Sequence, residues 1–257
     1  MILKDLRKVA IPPLSSDVYI VSYPKSGNTW LRYILSKCIV EYLQLNRSVN
    51  WFNLQEFIPD VEVSQFLPLN TYGSSLPRII KSHDSYNKHY KRVIYLVRNP
   101  LDVMESFYNY ENNFEKFSEA DFVKSQKGVA SWINHFKSWS NNPKRGQIVK
   151  FVTYEDMRQD TVNSLFHVCN ILGLNLPVEK IEKIVSESGK VEMAEDDMMY
   201  NSEMRQFNKQ VFIRQEQQKD YFREQFGKQI YDAVNEAGIT KRLEFVYKNS
   251  LNNIIKY

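Results

Sequence analysis

The sequence predicts an α/β fold, a three-layer α/β/α arrangement with a central, mainly parallel sheet. Two observations predict it: short apolar runs rich in branched residues alternate with stretches of helical spacing, and each run ends in polar or charged residues. Alternation of this kind puts helices on both faces of a parallel sheet. Ligands of such sheets bind beyond the carboxyl ends of the strands.

The first run, VYIVSY at 18 to 23, reads as a buried strand. A helix over 28 to 45 follows, because Trp30, Leu31, Ile34, Leu35, Cys38, Ile39 and Tyr42 recur at three- and four-residue steps. RIIKSH at 78 to 83, RVIYLVR at 92 to 98 and QIVKFVTYEDM from 147 supply three further strands. Helices are expected over 100 to 111, 119 to 140, 159 to 172, 177 to 187 and 219 to 237.

At 257 residues the chain suits one large α/β domain or two small ones, and nothing in its middle reads as a linker, so a single domain over 1 to 257 is expected. A hydrophobic fraction of 43% supplies a core, and 25% charged residues supply a solvated surface. The formal charge of +4 fits a pocket for an anionic small molecule better than a nucleic-acid surface, which needs a clustered basic face. Lys4, Asp5, Arg7 and Lys8 interrupt the apolar residues of MILKDLRKVAIPPLSS, so no signal-peptide core forms there. No later run reaches membrane-spanning length, and a cytoplasmic protein without a transmembrane segment is expected. Cys38 and Cys169 sit among apolar residues and read as reduced, buried thiols with no chemistry.

The turn YPKSGNTW at 23 to 30 joins the first strand to its helix. In such a turn the free backbone N–H groups and the helix N-terminus converge on one spot and stabilise an anion. Lys25 adds a full charge, and Ser26, Asn28 and Thr29 add side-chain donors or caps. In the loop of nucleotide triphosphatases a lysine follows the second glycine and a Ser/Thr then ligates magnesium; here the lysine precedes the glycine. The third strand ends in Arg98, where a magnesium-holding aspartate would be acidic. With no H-x-x-x-H or C-x-x-C pair either, a metal-independent anion site is expected. Taken alone, the turn also fits an ordinary strand-helix connection with a solvated lysine.

The strands end in Tyr23-Pro24-Lys25, Lys81-Ser82-His83, Arg98-Asn99-Pro100 and Thr153-Tyr154-Glu155. Two lysines, an arginine, a histidine and a tyrosine then share one crevice, a pocket for a polyanion with a base beside it. A fixed cation at Lys25 would lower the barrier for a leaving oxygen that gains charge. His83 is the candidate to take a proton from an attacking hydroxyl at neutral pH. Lys81, two residues earlier on the same strand face, is placed to stabilise the transferring group. His89, His135 and His167 lack such a setting and read as structural or solvent-facing.

These residues carry a resemblance. YPKSGNTW at 23 to 30 is similar to the 5′-phosphosulfate loop, and VIYLVRNPLDVMESFY at 93 to 108 to the 3′-phosphate motif, of sulfotransferases of the cytosolic type. KSH at 81 to 83 resembles the segment with that family's catalytic histidine, and FVTYEDM at 151 to 157 the segment that places a tyrosine near the nucleotide. FIRQEQQKDYF at 212 to 222 resembles the closing Arg-Lys-Gly segment only loosely. The resemblance implies a P-loop-like phosphosulfate-binding loop and a donor, 3′-phosphoadenosine 5′-phosphosulfate, with adenosine 3′,5′-bisphosphate as product and no metal. It assigns Lys25 to the bridging oxygen and Ser26, Gly27, Asn28 and Thr29 to the 5′-phosphate. Trp30 would stack on adenine, Tyr154 would reach the base, and Arg98, Ser106 and Arg214 would bind the 3′-phosphate.

The implied reaction moves a sulfonate to a hydroxyl, with an amine as second choice, of a small molecule or glycan. The aromatic residues Tyr108, Tyr110, Phe114, Phe117, Trp51, Phe52, Phe57 and Phe66 line an acceptor pocket or are simply core. Two other classes stay open on the residues alone: a magnesium-dependent small-molecule kinase and a non-catalytic nucleotide-binding protein. Oligomeric state carries no signal.

Overall fold

A computed structural model of the protein describes residues 13–63, 76–112, 118–141, 146–188, 219–250 and 255–256. Four strands, β1 (Val18–Ser22), β2 (Ile79–Ser82), β3 (Arg92–Val97) and β4 (Ile148–Thr153), form a parallel sheet in the order β2-β1-β3-β4. A two-residue strand, β5 (Ile255–Lys256), adds to β4 in the antiparallel sense. β1 is central and buried along its whole length, as its unbroken apolar run requires.

Side chains alternate across the sheet and feed two cores. Val18, Ile20, Ile79, Ile94, Leu96 and Val152 face α1 (Asn28–Tyr42), α7 (Thr161–Leu172) and α8 (Val178–Ser186). Tyr19, Val21, Ile80, Val93, Tyr95, Val97 and Phe151 pack with α3 (Pro100–Glu111), α4 (Glu119–Lys124), α5 (Val129–Ser140), α9 (Lys219–Glu236) and α10 (Thr240–Asn249). The two remaining helices are α2 (Leu54–Phe57) and α6 (Tyr154–Gln159). Layering and strand direction agree with the sequence reading.

Several boundaries do not. The helix expected over 119 to 140 is two helices, α4 and α5, broken at Ser125–Gly128. Gly128 passes so close to α4 that a Cβ there would lie 2.1 Å from the Val123 carbonyl oxygen, a contact only glycine avoids. The helix expected from 159 is preceded by α6, because Thr153 Oγ1 accepts from the Asp156 N–H at 3.0 Å and starts a helix at Tyr154. Asp160 then caps α7 by accepting from the Asn163 N–H at 3.1 Å. α2, α10 and β5 were not expected; the first and last are too short to show a period.

Candidate active site

The carboxyl ends of β1 to β4 lie along one edge because the strands are parallel, and each delivers a candidate side chain there. After β1 the turn takes two left-handed residues, Lys25 at φ 66° and Gly27 at φ 92°. Gly27 is the N-cap of α1, its carbonyl accepting from the Leu31 N–H at 3.1 Å. No side chain caps that helix, so of the two roles expected for Ser26, Asn28 and Thr29, donors or caps, the capping one is not seen. Asn28 instead turns its amide back on β1 and donates to the Ile20 carbonyl (3.3 Å) and Ser22 Oγ (3.1 Å), so it fastens helix to strand. Ser26 Oγ is buried without a hydrogen-bond partner, and so is Asn28 Oδ1. Buried polar atoms are almost always paired, and an orphaned hydroxyl inside a strand-to-helix turn of this kind fits a phosphate oxygen.

Tyr154 opens α6 at the end of β4 and covers this turn. A Cβ at Gly27 would meet Tyr154 Cδ2 at 2.4 Å, so the glycine is required by contact as well as by its φ. The Tyr154 ring also meets Trp30 edge-to-face at 5.8 Å and lies 4.4 Å from the Arg98 guanidinium carbon. Arg98 follows β3, donates from Nη1 to the Lys25 carbonyl at 2.9 Å, and keeps a buried Nε with no partner. Ser106 stands half-buried in the second turn of α3, and Thr29 and Trp30 are likewise half-buried. The Lys25 ammonium sits 4.2 Å above the ring of Tyr110, from the last turn of α3.

His83 lies just past β2, half-buried, with Nδ1 2.6 Å from the Ser22 carbonyl oxygen and 3.3 Å from Ser22 Oγ. A carbonyl only accepts, so Nδ1 carries the hydrogen and Nε2 keeps a lone pair. Burial, with the nearby charge of Lys81, lowers the His83 pKa to about 3, so the ring is neutral near pH 7. Lys81 departs from expectation. It is buried, and its ammonium donates to Asp60 Oδ2 at 2.6 Å, with Glu62 at 3.9 Å. The segment after α2 is laid against β2 to make this pair, with the Lys81 N–H donating to the Pro59 carbonyl at 2.8 Å.

A family model for the sulfotransferase domain matches residues 15–241. The chain belongs to the sulfotransferase family. Among curated relatives, the amine sulfotransferase of Oryctolagus cuniculus is 28% identical over 187 residues, covering 67% of this chain and 61% of that protein. Sulfotransferase 2B1 of Homo sapiens is 29% identical over 192 residues, covering 67% of this chain and 50% of that protein. The match thus spans about half to three fifths of these relatives' length. Retinol dehydratase, solved with retinol and PAP, shares the fold at a TM-score of 0.66 and 17% identity, over 93% of this chain and 85% of its own.

Within this sulfotransferase-family chain, the structure brings Lys25, Gly27, Trp30, Arg98 and Tyr154 into one contact network, with His83 held against the end of the same β1 strand. Arg214 lies outside the described residues, as do Phe66, Phe114 and Phe117. Phe57 belongs to the core, Trp51 stacks near Tyr33 (6.2 Å), and Tyr108 stacks on Phe222 (5.6 Å), so these three serve packing. Cys38 and Cys169 are buried free thiols. Asp60 and Ser22 were missed, and Glu155 was named only as part of a strand end. Glu155 Oε1 accepts from the Asn99 N–H at 2.9 Å, and burial raises its carboxyl pKa. Their importance arises from pairings across 21, 61 and 56 positions, for which a single sequence carries no signal. Among the described residues no helix is long and apolar enough to cross a membrane, and no group of three or more His, Cys, Asp or Glu is placed to hold a metal ion.

Proposed function

We propose that the protein transfers a sulfonate group from 3′-phosphoadenosine 5′-phosphosulfate to a hydroxyl, or secondarily an amine, of a small molecule or glycan, without a metal, as a single cytoplasmic domain. The observation that carries this reading is the link between the two anion motifs: Arg98 bonds the carbonyl of Lys25 while Ser26 Oγ and Arg98 Nε, both buried, lack partners. A donor with phosphates at both ends of one nucleoside would satisfy both. Family membership and the relative solved with PAP support the donor class. The names of an amine sulfotransferase and of a dehydratase solved with retinol support a small-molecule acceptor.

The bound donor supplies an activated sulfuryl group. Lys25 neutralises charge on the oxygen that leaves with the 5′-phosphate, and the loop's N–H groups hold that phosphate still. His83 Nε2 takes the acceptor's proton as the new bond to sulfur forms. Tyr154 and Trp30 wall the base, and Arg98 with Ser106 and Arg214 reads the 3′-phosphate. Lys81 acts from its ion pair with Asp60. The kinase reading is disfavoured because Arg98 stands where a magnesium carboxylate is required.

Thermal-shift measurements with adenosine 3′,5′-bisphosphate, ATP with magnesium, and no ligand test the donor class. Stabilisation by the bisphosphate that persists in EDTA is expected. Stabilisation by magnesium ATP alone would overturn the proposal.

A further inference from the structure

We infer that His135 is a positioning residue for His83, acting through the main-chain carbonyl of the proposed base. The inference rests on the reading of His83 as base and goes beyond it. β2 stops at Ser82, so His83 has no ladder to hold it, and Asp84 and Ser85 beyond it are exposed. Beside the bond that the Glu62 carboxylate accepts from the His83 main chain, α5 supplies support from one face. His135, Ser138 and Trp139, spaced i, i+3 and i+4, each bond the backbone of residues 83 to 86. His135 Nε2 lies 3.1 Å from the His83 oxygen, Trp139 Nε1 donates to the Asp84 carbonyl at 2.9 Å, and Ser138 Oγ accepts from the Tyr86 N–H at 3.0 Å.

The protonation pattern of His135 follows from its partners. The His83 carbonyl accepts, so Nε2 carries the hydrogen and Nδ1 accepts from the Tyr95 hydroxyl at 2.8 Å. Tyr95 is buried in β3, and Tyr23 meets the His135 ring edge-on at 5.6 Å. His135 is itself buried, so it is fixed on two sides and hands that rigidity to His83. The base is therefore held at both ends, its ring by Ser22 and its carbonyl by His135. Misplacement of a reacting group by about 1 Å costs up to a hundredfold in rate, so such support affects turnover without touching either substrate.

Side-chain shape gives a selective test. Glutamine presents an amide N–H where Nε2 stands; asparagine presents one where Nδ1 stands; leucine presents neither. His135→Gln, His135→Asn and His135→Leu are compared with the wild type by ¹⁵N spectra of their histidine rings, by turnover with the donor and either 2-naphthol or 2-naphthylamine, and by calorimetric binding of adenosine 3′,5′-bisphosphate. In the wild type and His135→Gln the His83 ring shows one tautomer, and their kcat values agree within about threefold. In His135→Asn and His135→Leu the tautomers average and kcat falls about tenfold or more, with bisphosphate affinity unchanged. Tyr95→Phe, which removes only the partner of Nδ1, gives an intermediate loss and serves if His135→Leu does not fold. An unchanged His83 spectrum in His135→Asn and Tyr95→Phe, or a loss in all variants that simply tracks Tm, overturns the inference. Absence of bisphosphate binding by the wild type, with the spectra as expected, removes the sulfotransferase reading and leaves the positioning of His83 standing.

Discussion

Arg98 donates a hydrogen bond to the carbonyl of Lys25 at 2.9 Å, so the residue proposed for the 3′-phosphate also holds the backbone of the residue proposed for the sulfonate end. Lys25 needs the help, since a left-handed backbone at φ 66° is costly for a side-chain-bearing residue. Arg98→Ala should therefore weaken two ligands by different amounts. Adenosine 3′,5′-bisphosphate loses the charge-assisted contact, about 1.5–3 kcal/mol, while adenosine 5′-phosphosulfate loses only loop support, about 1 kcal/mol. Calorimetry on both ligands checks this, and equal losses would show that Arg98 acts through Lys25 alone.

Gly27→Ala introduces a methyl group 2.4 Å from a Tyr154 ring carbon and forces alanine to φ 92°. Backbone strain alone costs about 1–2 kcal/mol, and the ring must move as well. Adding Tyr154→Ala should restore the second part and not the first. Urea unfolding of the two single variants and the double variant measures the coupling; strict additivity would mean that the ring yields freely.

Removing one partner of the buried Lys81–Asp60 pair leaves the other charged and unsolvated. Lys81→Met or Asp60→Asn should each cost about 3–5 kcal/mol of stability, and the double variant less than their sum. Lys81→Met should also raise the His83 pKa, because the Lys81 charge is among the causes that hold it down. NMR titration of the His83 ring reads this directly, and a pKa that stays put means the ammonium does not influence the base.

Stability should fall on mild acidification. His83 and His135 take up protons near pH 6.5 when unfolded but only near about 3 and about 4 when folded. Between those values the unfolded chain binds more protons, so their stabilising contribution is complete above pH 6.5 and is lost as pH falls through the window. Glu62 and Glu155, whose carboxyl pKa values burial raises, work in the opposite direction above the ordinary carboxylate range. The clean reading is the difference between wild type and His135→Gln, which should shrink by about 2 kcal/mol from pH 6.5 to pH 5. Urea midpoints at several pH values give that difference; parallel curves would mean that His135 takes up its proton as readily in the folded protein as in the unfolded chain.

The sheet and most of the candidate anion site were legible in the sequence because both are local. Branched apolar runs located β1 to β4 to within about two residues, and Lys25, Gly27 and Arg98 lie at the ends of those runs. What was illegible is non-local. Helical spacing runs straight through 119 to 140, and only the approach of Gly128 to the Val123 carbonyl shows why the helix must break. Lys81 reads as a free cation until Asp60, 21 positions earlier, is folded against it. His135 reads as structural or solvent-facing, and the structure buries it; that it bonds His83 depends on how α5 crosses the end of β2.

The segment that brings Asp60 to Lys81 has a second effect, on how the molecule behaves in a crowded solution. A sheet's outer strands expose unpaired backbone groups that can recruit another chain. On the β2 side, Pro59 and Val61 occupy both main-chain groups of Lys81; on the β4 side, β5 covers Ile148 and Val149. Each border of the sheet is thus blunted by a short stretch of its own chain, and the same residues that steady Lys81 also discourage strand-to-strand self-association.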